Sequence, residues 1–302
     1  MGKEEEESTF EELISKLRIG NARVRKNASF ALGELGDKRA IDPLITSLQD
    51  KNRDVRSIAA IALGQLGDTQ AVFSLIQALN DKEERVRGSA AKALGKLGDK
   101  RAVDSLIQAL NDEDAGVRYK VVLALGQLGD KDAVDPLIIA MQEDDWDVRE
   151  EAARALGHLG DKRALDPLIT ALSDEFEGVG WSAAKALGEM GDKKAIERAI
   201  DLLIQALQDE DMDTRINAAG ALDGLRDKRA SDIAIDSLTQ ALNDEDRYVR
   251  MSAAEALGEL REAKGWEALK QRLTKETDES VIDEIGFAMD GMQKKYSGEY
   301  YE

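Results

Sequence analysis

Apolar residues in this chain fall into two alternating patterns that return at a fixed interval. In Arg101–Asp112, RAVDSLIQALND, the residues Val103, Leu106, Ile107 and Leu110 recur at helical spacing. From Asp114 to Leu128 a second stripe is drawn by Val117, Val121, Ala124, Leu125 and Leu128. Small Ala at many stripe positions lets neighbouring helices approach closely. The stretch Val86–Asp99, VRGSAAKALGKLGD, returns as VRSIAAIALGQLGD from Val55, VRYKVVLALGQLGD from Val117 and VREEAARALGHLGD from Val148. Gly-Asp pairs at Gly36, Gly67, Gly98, Gly129, Gly160 and Gly191 stand 31 residues apart, and the marker then decays to Arg226-Asp227 and Arg261-Glu262 at steps of 35. A fixed period in this range marks a stack of helix pairs, each burying its apolar face against its neighbours.

The letters between the stripes suit helix ends. A Gly such as Gly129 can take the left-handed conformation that closes a helix. The Asp after it suits the N-cap of the next helix, and the LND and LQD turns with their acidic followers open the second helix of each pair in the same way. Pro43, Pro136 and Pro167 occupy one repeat position just after Asp. The first helix either starts or kinks there, and both readings stand. Counting pairs gives nine. The first runs from Ser8 to Leu35 with a shortened first helix. The seventh and eighth carry four extra residues each, Glu197–Ile200 and Asp232–Ile235 by one alignment, which adds about one turn. The last, from Ala263 to 295, diverges: Trp266 replaces a small core residue, and Phe287 and Met289 thicken an end that must cover an exposed core face. The expected organisation is one array over 8–295, with regular units to about 191, longer units after it, and a capping pair at 263–295. An acidic tail, 1–7, and a C-terminal tail, 296–302, flank it.

The run L-x-D-(x)n-VR-xx-AA-x-ALG-x-LGD, as in Leu79–Asp99, resembles the HEAT-like repeats of the phycobilisome-lyase type, and the resemblance covers residues 8–295. It implies an all-α, right-handed α-solenoid of about nine HEAT-like helix pairs, with the second helices lining a concave side. For function it implies mostly protein–protein contact. Some members attach bilins to phycobiliproteins, and similar repeats serve as artificial binding scaffolds.

Composition narrows the function classes. Aromatic residues are 4% of the 302, so the core is built of Ala, Leu, Ile and Val. A net charge of −19 repels nucleic acid at long range, because such a ligand demands a cationic surface that displaces phosphate counterions. Without Cys there is no disulfide and no thiolate chemistry. No apolar run approaches the roughly 18 residues of a membrane helix. The start, MGKEEEESTF, lacks the apolar core of a signal peptide, and Glu7 stands where a myristoylation site wants Ser or Thr. A cytoplasmic protein with no cofactor and no membrane contact is expected.

Candidate chemistry is sparse. The Arg of each VR recurs as Arg25, Arg56, Arg87, Arg118, Arg149, Arg215 and Arg250, with Asp50, Asp81, Asp112, Glu143, Asp209 or Asp244 six residues before all but the first. This is either a ladder of cations for an anionic ligand or a set of structural pairs with turn carboxylates in the same or the next unit; periodicity favours the second. One rung is missing, since Gly180 replaces Arg in the sixth unit. His158 is the one histidine and sits at a variable position, which argues against a nucleophilic triad. HEAT-repeat hydroxylases of the deoxyhypusine type hold iron through several His-Glu pairs, and here His158 is followed by Leu159. HEAT-like DNA glycosylases carry a basic groove that this acidic chain lacks. Asp209, Asp211 and Asp213 open like a calcium loop, but Thr214 stands where Gly is needed and Gly220 where a bidentate Glu is needed, which favours an acidic helix N-terminus. Asn27-Ala28-Ser29 fits a glycosylation acceptor placed inside a helix.

What remains is the exposed stripe of each second helix. It reads Gly116, Tyr119, Leu123 and Gln127 in the fourth unit, Asp147, Glu150, Arg154 and His158 in the fifth, and Gly178, Trp181, Lys185 and Glu189 in the sixth. Ile216, Tyr248 and Met251 follow, Trp146 lies beside the stripe, and Lys92 and Lys96 precede it. Large apolar residues on a solvated stripe are the informative deviation, and Trp and Tyr are the usual anchors of interfaces. The basic residues on the same face point to an acidic partner surface. Tyr119, Leu123, Trp146, Arg154, His158, Trp181, Lys185, Ile216, Tyr248 and Met251 are therefore the candidate site, for a protein or peptide on the concave face. The alternative is a subunit of a bilin lyase or a related tetrapyrrole-handling enzyme.

Overall fold

The computed structural model describes residues 3–225 and 228–297, so the decayed marker Arg226-Asp227 and the chain from 298 onward lie outside the described residues. Those residues form helices and turns, with no strand among them. They divide into two compact units, Met1–Ala140 and Met141–Glu302. In the first, α1 (Lys3–Ile19) pairs with α2 (Ala22–Leu35), α3 (Ile41–Ser47) with α4 (Arg53–Leu66), α5 (Val72–Ala78) with α6 (Glu84–Leu97), and α7 (Val103–Ala109) with α8 (Ala115–Leu128), and α9 (Val134–Ala140) ends the unit. The second begins with α10 (Trp146–Leu159). It continues with α11 (Leu165–Ala171) and α12 (Glu177–Met190), α13 (Lys193–Ala206) and α14 (Met212–Gly224), α15 (Lys228–Ala241) and α16 (Arg247–Leu260), and α17 (Ala263–Leu273) and α18 (Glu279–Ser297). Each unit is an α-solenoid stack of helix pairs.

The repeat letters act as helix punctuation. The side chain of Asn52 accepts from the N–H groups of Asp54 and Val55 and opens α4, and Asp114 and Asp145 open α8 and α10 in the same way. All six marker glycines close their helices in the left-handed region, with φ from 61° to 72°. At the decayed marker Arg261 is held in the same region, φ 52°, where an L side chain is disfavoured. The Asp after each of the first five of these glycines accepts from the N–H two residues on, as Asp68 does from Gln70 at 3.0 Å, and starts a three-residue 3-10 turn that runs into a seven-residue α-helix.

That turn answers the proline question. Pro43 is the third residue of α3, so the α-helix has begun before it, and the 3-10-to-α junction occurs equally at Ala71–Val72 and Ala102–Val103 without proline. Pro is tolerated because an N–H in the first helical turn has no intrahelical partner. Where four residues are added, in α13 and α15, the junction disappears and each first helix runs unbroken for 14 residues. The opening pair also differs from expectation. Its first helix is not shortened but is 17 residues long, and it starts at Lys3 inside the stretch read as a tail. It has no Asp-capped 3-10 turn, and its Glu-rich sequence favours continuous helix.

Second helices pack on second helices within each unit: α2 on α4, α4 on α6 and α6 on α8 in the first, and α10, α12, α14, α16 and α18 in succession in the second. In α4, Ala59, Ala60, Ala62 and Leu63 are at most 1% exposed. The Gly of the ALG triplet sets the close spacing. A Cβ on Gly64 would lie 2.9 Å from both Cα and Cβ of Ala93, and one on Gly157 would lie 2.7 Å from the Ala186 Cβ. Trp266 and Met289 are half-buried at the C-terminal pair, but Phe287 is not capping material: it is 71% exposed.

Candidate interaction surface

The recurring arginines belong to the architecture. In the first unit the Arg56 guanidinium grips both oxygens of Asp81 in the next repeat at 2.6 and 2.7 Å, and its Nη1 donates to the Asp50 carbonyl of its own turn at 2.8 Å. Arg25 with Asp50 and Arg87 with Asp112 repeat the fork. In the second unit Arg149 with Asp174, Arg215 with Asp244 and Arg250 with Glu276 do the same. From Arg56 onward the residue six before each of these arginines therefore gives its backbone carbonyl, while Arg25 uses Gly20, and the carboxylate comes from the following repeat. Burial works against the charge on Asp81 and Asp112, but the Arg fork and a backbone N–H hold both below the usual carboxylate range. Planar bidentate pairing of this kind is the strong form of a carboxylate–guanidinium bond.

On the second-helix face of the first unit, α8 carries Tyr119 and Leu123, both half-buried. Two repeats of basic character adjoin them: Lys92 and Lys96 on α6 are exposed, and the Lys120 side chain lies over Gly88, where a Cβ would meet its Nζ at 2.9 Å.

In the second unit the face is built by α10, α12, α14 and α16. Trp181, Ile216 and Met251 are half-buried on it, Tyr248 is 47% exposed, and His158 is exposed. Lys185 stands 5.2 Å from the centre of the Trp181 ring, so the two form a cation–π pair and not separate features. Arg154 is half-buried and salt-bridged to Glu150 and Glu151 of its own helix, and His158 Nε2 is 4.0 Å from Glu189. Burial pushes the carboxyl of Glu151 up. Burial also raises Glu177 and Glu284, and each is raised further by Glu255. The basic side chains expected to invite an acidic partner are thus partly neutralised by their own helices, and this end of the face is acidic.

Trp146 lies at the start of α10, off the stripe, and stacks on Phe176 at 5.5 Å between ring centres with the planes 15° apart. Both rings are 41% exposed. Phe176 was not singled out in the sequence, and Phe287 was read there only as cover for the end of the core. Phe176 occupies an N-cap position and makes no side-chain cap, and Phe287 stands at the α18 position that Lys185 holds in α12. A large apolar residue where the repeat uses a polar one was the available signal for both. Asp211 is the N-cap of α14, accepting from the Thr214 N–H at 2.8 Å and from its hydroxyl. No group of three or more His, Cys, Asp or Glu among the described residues is arranged to hold a metal. No described helix is long and apolar enough to cross a membrane.

A family model for HEAT repeats matches residues 10–75, 72–150, 134–203 and 200–289. No curated protein matches the chain in sequence. Among solved structures it is similar to an engineered protein, at 21% identity over 94% of this chain and 88% of that one, TM-score 0.48. It is also similar to the complex of CpcE and CpcF of phycocyanin lyase from Nostoc sp. PCC7120, at 22% identity over 94% of each chain, TM-score 0.48. Human deoxyhypusine hydroxylase in complex with glycerol matches at 23% identity over 87% of this chain and 99% of that one, TM-score 0.38. The chain belongs to the HEAT-repeat proteins.

Proposed function

We propose that this HEAT-repeat scaffold is non-catalytic and binds a protein or peptide through the second-helix faces of its two units. The carrying observation is that large apolar side chains stand at the positions where the repeat varies. Tyr119 and Leu123 do so in the first unit, and Trp181, Ile216, Tyr248 and Met251 do so in the second. None of these residues closes a helix or completes an arginine fork, so the architecture leaves them free to vary. Aromatic side chains with part of their surface still wet give up that surface to a partner at small entropic cost, which makes Tyr119 and Trp181 the anchors. The repeating letters are spent on packing and capping, and the one histidine rests near Glu189.

The test is a pull-down with wild-type chain and the double variant Tyr119→Ala/Trp181→Ala, matched for thermal stability. Loss of the proteins captured by wild type is expected. Capture of the same proteins with equal strength by the variant would overturn the reading.

A further inference from the structure

One second helix of the first unit carries cations that no carboxylate answers. In α6, Arg85, Gly88, Lys92 and Lys96 are spaced by three or four residues and so share one face of the helix. Arg85, Lys92 and Lys96 are exposed on it. The gap at Gly88 is filled from the neighbouring helix. Lys120 of α8 lays its side chain across α6 there, so that a Cβ on Gly88 would stand 2.9 Å from both its Cδ and its Nζ. The Lys120 ammonium thus takes the place of a side chain at position 88, between Arg85 and Lys92 along the helix. From Arg85 to Lys96 the positive groups form an unbroken file about 16 Å long.

At the same stripe positions of the second unit the chain neutralises its cations. Arg154 is bridged to Glu150 and Glu151, and His158 stands beside Glu189. On α6 only Arg85 has a partner, Asp54 of α4 at 3.3 Å. Lys92, Lys96 and Lys120 have no salt bridge among the described residues. The stripe positions beside Lys92 and Lys96 offer no carboxylate either: α4 presents Ile61 and Gln65 there, and α8 presents Leu123 and Gln127. Like charges four residues apart on a helix oppose one another, yet Lys120 is laid against this file and not away from it. With 61 acidic residues against 42 basic ones, the chain has carboxylates to spare and places none here. The file is flanked by apolar surface, since Ile61, Tyr119 and Leu123 are all half-buried. Such a surface is complementary to a run of carboxylates that carries an apolar side chain.

We propose that this face of α6 and α8 docks an acidic segment of a partner polypeptide, about five residues long if extended. Its carboxylates pair with Lys92, Lys96 and Lys120, and an apolar side chain among them rests on Tyr119 and Leu123. The inference rests on the reading of the second-helix faces as binding surfaces, and it assigns the first unit its kind of partner. The second unit, whose face is acidic, takes no part. Nucleic acid fits less well, because its phosphates continue past a file of this length onto a chain of net charge −19. An acidic peptide ends its charge where the file ends and uses the apolar flank as well.

The experiment is fluorescence anisotropy of the full chain with a fluorescein-labelled, blocked peptide of glutamates flanking one central phenylalanine. Its glutamine counterpart and an oligothymidylate of the same length are the comparisons. Saturable binding of the glutamate peptide that weakens with salt is expected, with none of the glutamine counterpart and weaker binding of the oligonucleotide. Lys92→Gln/Lys96→Gln removes exposed charges only; it melts no lower than wild type and binds the peptide roughly tenfold more weakly. Lys51→Gln/Lys82→Gln removes the same charge from exposed turns between helices and leaves binding unchanged. Equal weakening by the two double variants, equal binding of the glutamine peptide, or tighter binding of the oligothymidylate would overturn the proposal. So would binding that tightens when residues 298–302 are deleted, which gives the face to the chain's own acidic end, or self-association that competes with the peptide, which gives it to a second copy. The pull-down separates this inference from its premise. Capture lost in Tyr119→Ala/Trp181→Ala but kept in Lys92→Glu/Lys96→Glu overturns the acidic partner alone, and capture indifferent to Tyr119→Ala/Trp181→Ala overturns the premise with it.

Discussion

Glu276 gives the sharpest test of how the array is held together, because its carboxylate gathers two guanidinium groups and two backbone N–H groups. It is 2% exposed at the side chain and accepts from Arg250 Nε at 2.9 Å, from Arg272 Nε and Nη2 at 2.9 and 2.5 Å, and from the N–H groups of Thr277 and Asp278 at 2.9 and 3.0 Å. Burial opposes its charge, but the Asp278 N–H, Arg272, the Thr277 N–H and Arg250 together outweigh it and hold the pKa down, from an ordinary 4.5 to about 2. A carboxyl depressed on folding contributes stability that is complete above its unfolded pKa and is lost as pH falls through the folded one. The depression is worth on the order of 3 kcal/mol at pH 7, falling to about 1.5 kcal/mol at pH 3. Glu276→Gln keeps the shape and one acceptor but removes the charge and leaves two guanidinium groups in a covered site. Urea unfolding of wild type and variant at pH 7, 4 and 3 measures the gap directly. The expected gap is largest at pH 7 and about halved at pH 3. A gap that is constant or widens as pH falls would refute the account, since packing alone does not titrate between 4.5 and 2.

The helix ends and the inter-helix contacts make two further predictions. Arg261→Gly relieves a left-handed residue at the one decayed marker that is described, and raises stability by roughly 0.5–1 kcal/mol, read as a higher melting temperature. Gly64→Ala sets a helix-propensity gain of about 1 kcal/mol against overpacking on Ala93 worth about 1–3 kcal/mol, so a net loss is expected. Gly286→Ala, in α18 with nothing within 4 Å of the added Cβ, shows the gain alone. Equal effects of the last two substitutions on denaturant midpoints would show that close approach at Gly64 is not what the repeat requires.

Much of the fold was legible because its letters repeat. The 31-residue spacing, the glycine closures, the Asp caps and the Arg–carboxylate pairing all come from positions where each copy faces the same neighbours. What could not be read was where a copy's neighbours change. The first helix of the opening pair looked short because it lacks the repeat letters, yet a run of Glu and Leu in α1 forms helix without them. Phe287 looked like end-covering core because it is large and terminal, but its place in α18 belongs to the exposed stripe. Lys185 and Arg154 looked like isolated cations, although Trp181, Glu150 and Glu151 sit three or four residues away on the same helices, the spacing at which helical side chains meet.

Departures from the repeat are of two physical kinds, and the difference decides which of them the rest of the stack must answer. At the turn ridge the pair Arg53–Glu83 becomes Arg247–Asp278 in one place and Trp146–Phe176 in another. These positions are solvent-facing, an exposed ion pair stabilises little, and exchange among such pairs demands no response from the rest of the stack. A change at a buried rung is different. Losing one partner of a covered guanidinium–carboxylate fork leaves charge and carbonyl oxygens without donors, and the chain answers by placing Asn217 against Asp174 and Glu175. That answer is incomplete, because the backbone carbonyls are satisfied while the Asp209 carboxylate is left to solvent. Compensation by a side chain from the next second helix is needed only at a covered rung, and it separates Gly180 from the tolerated exchanges among the solvent-facing pairs.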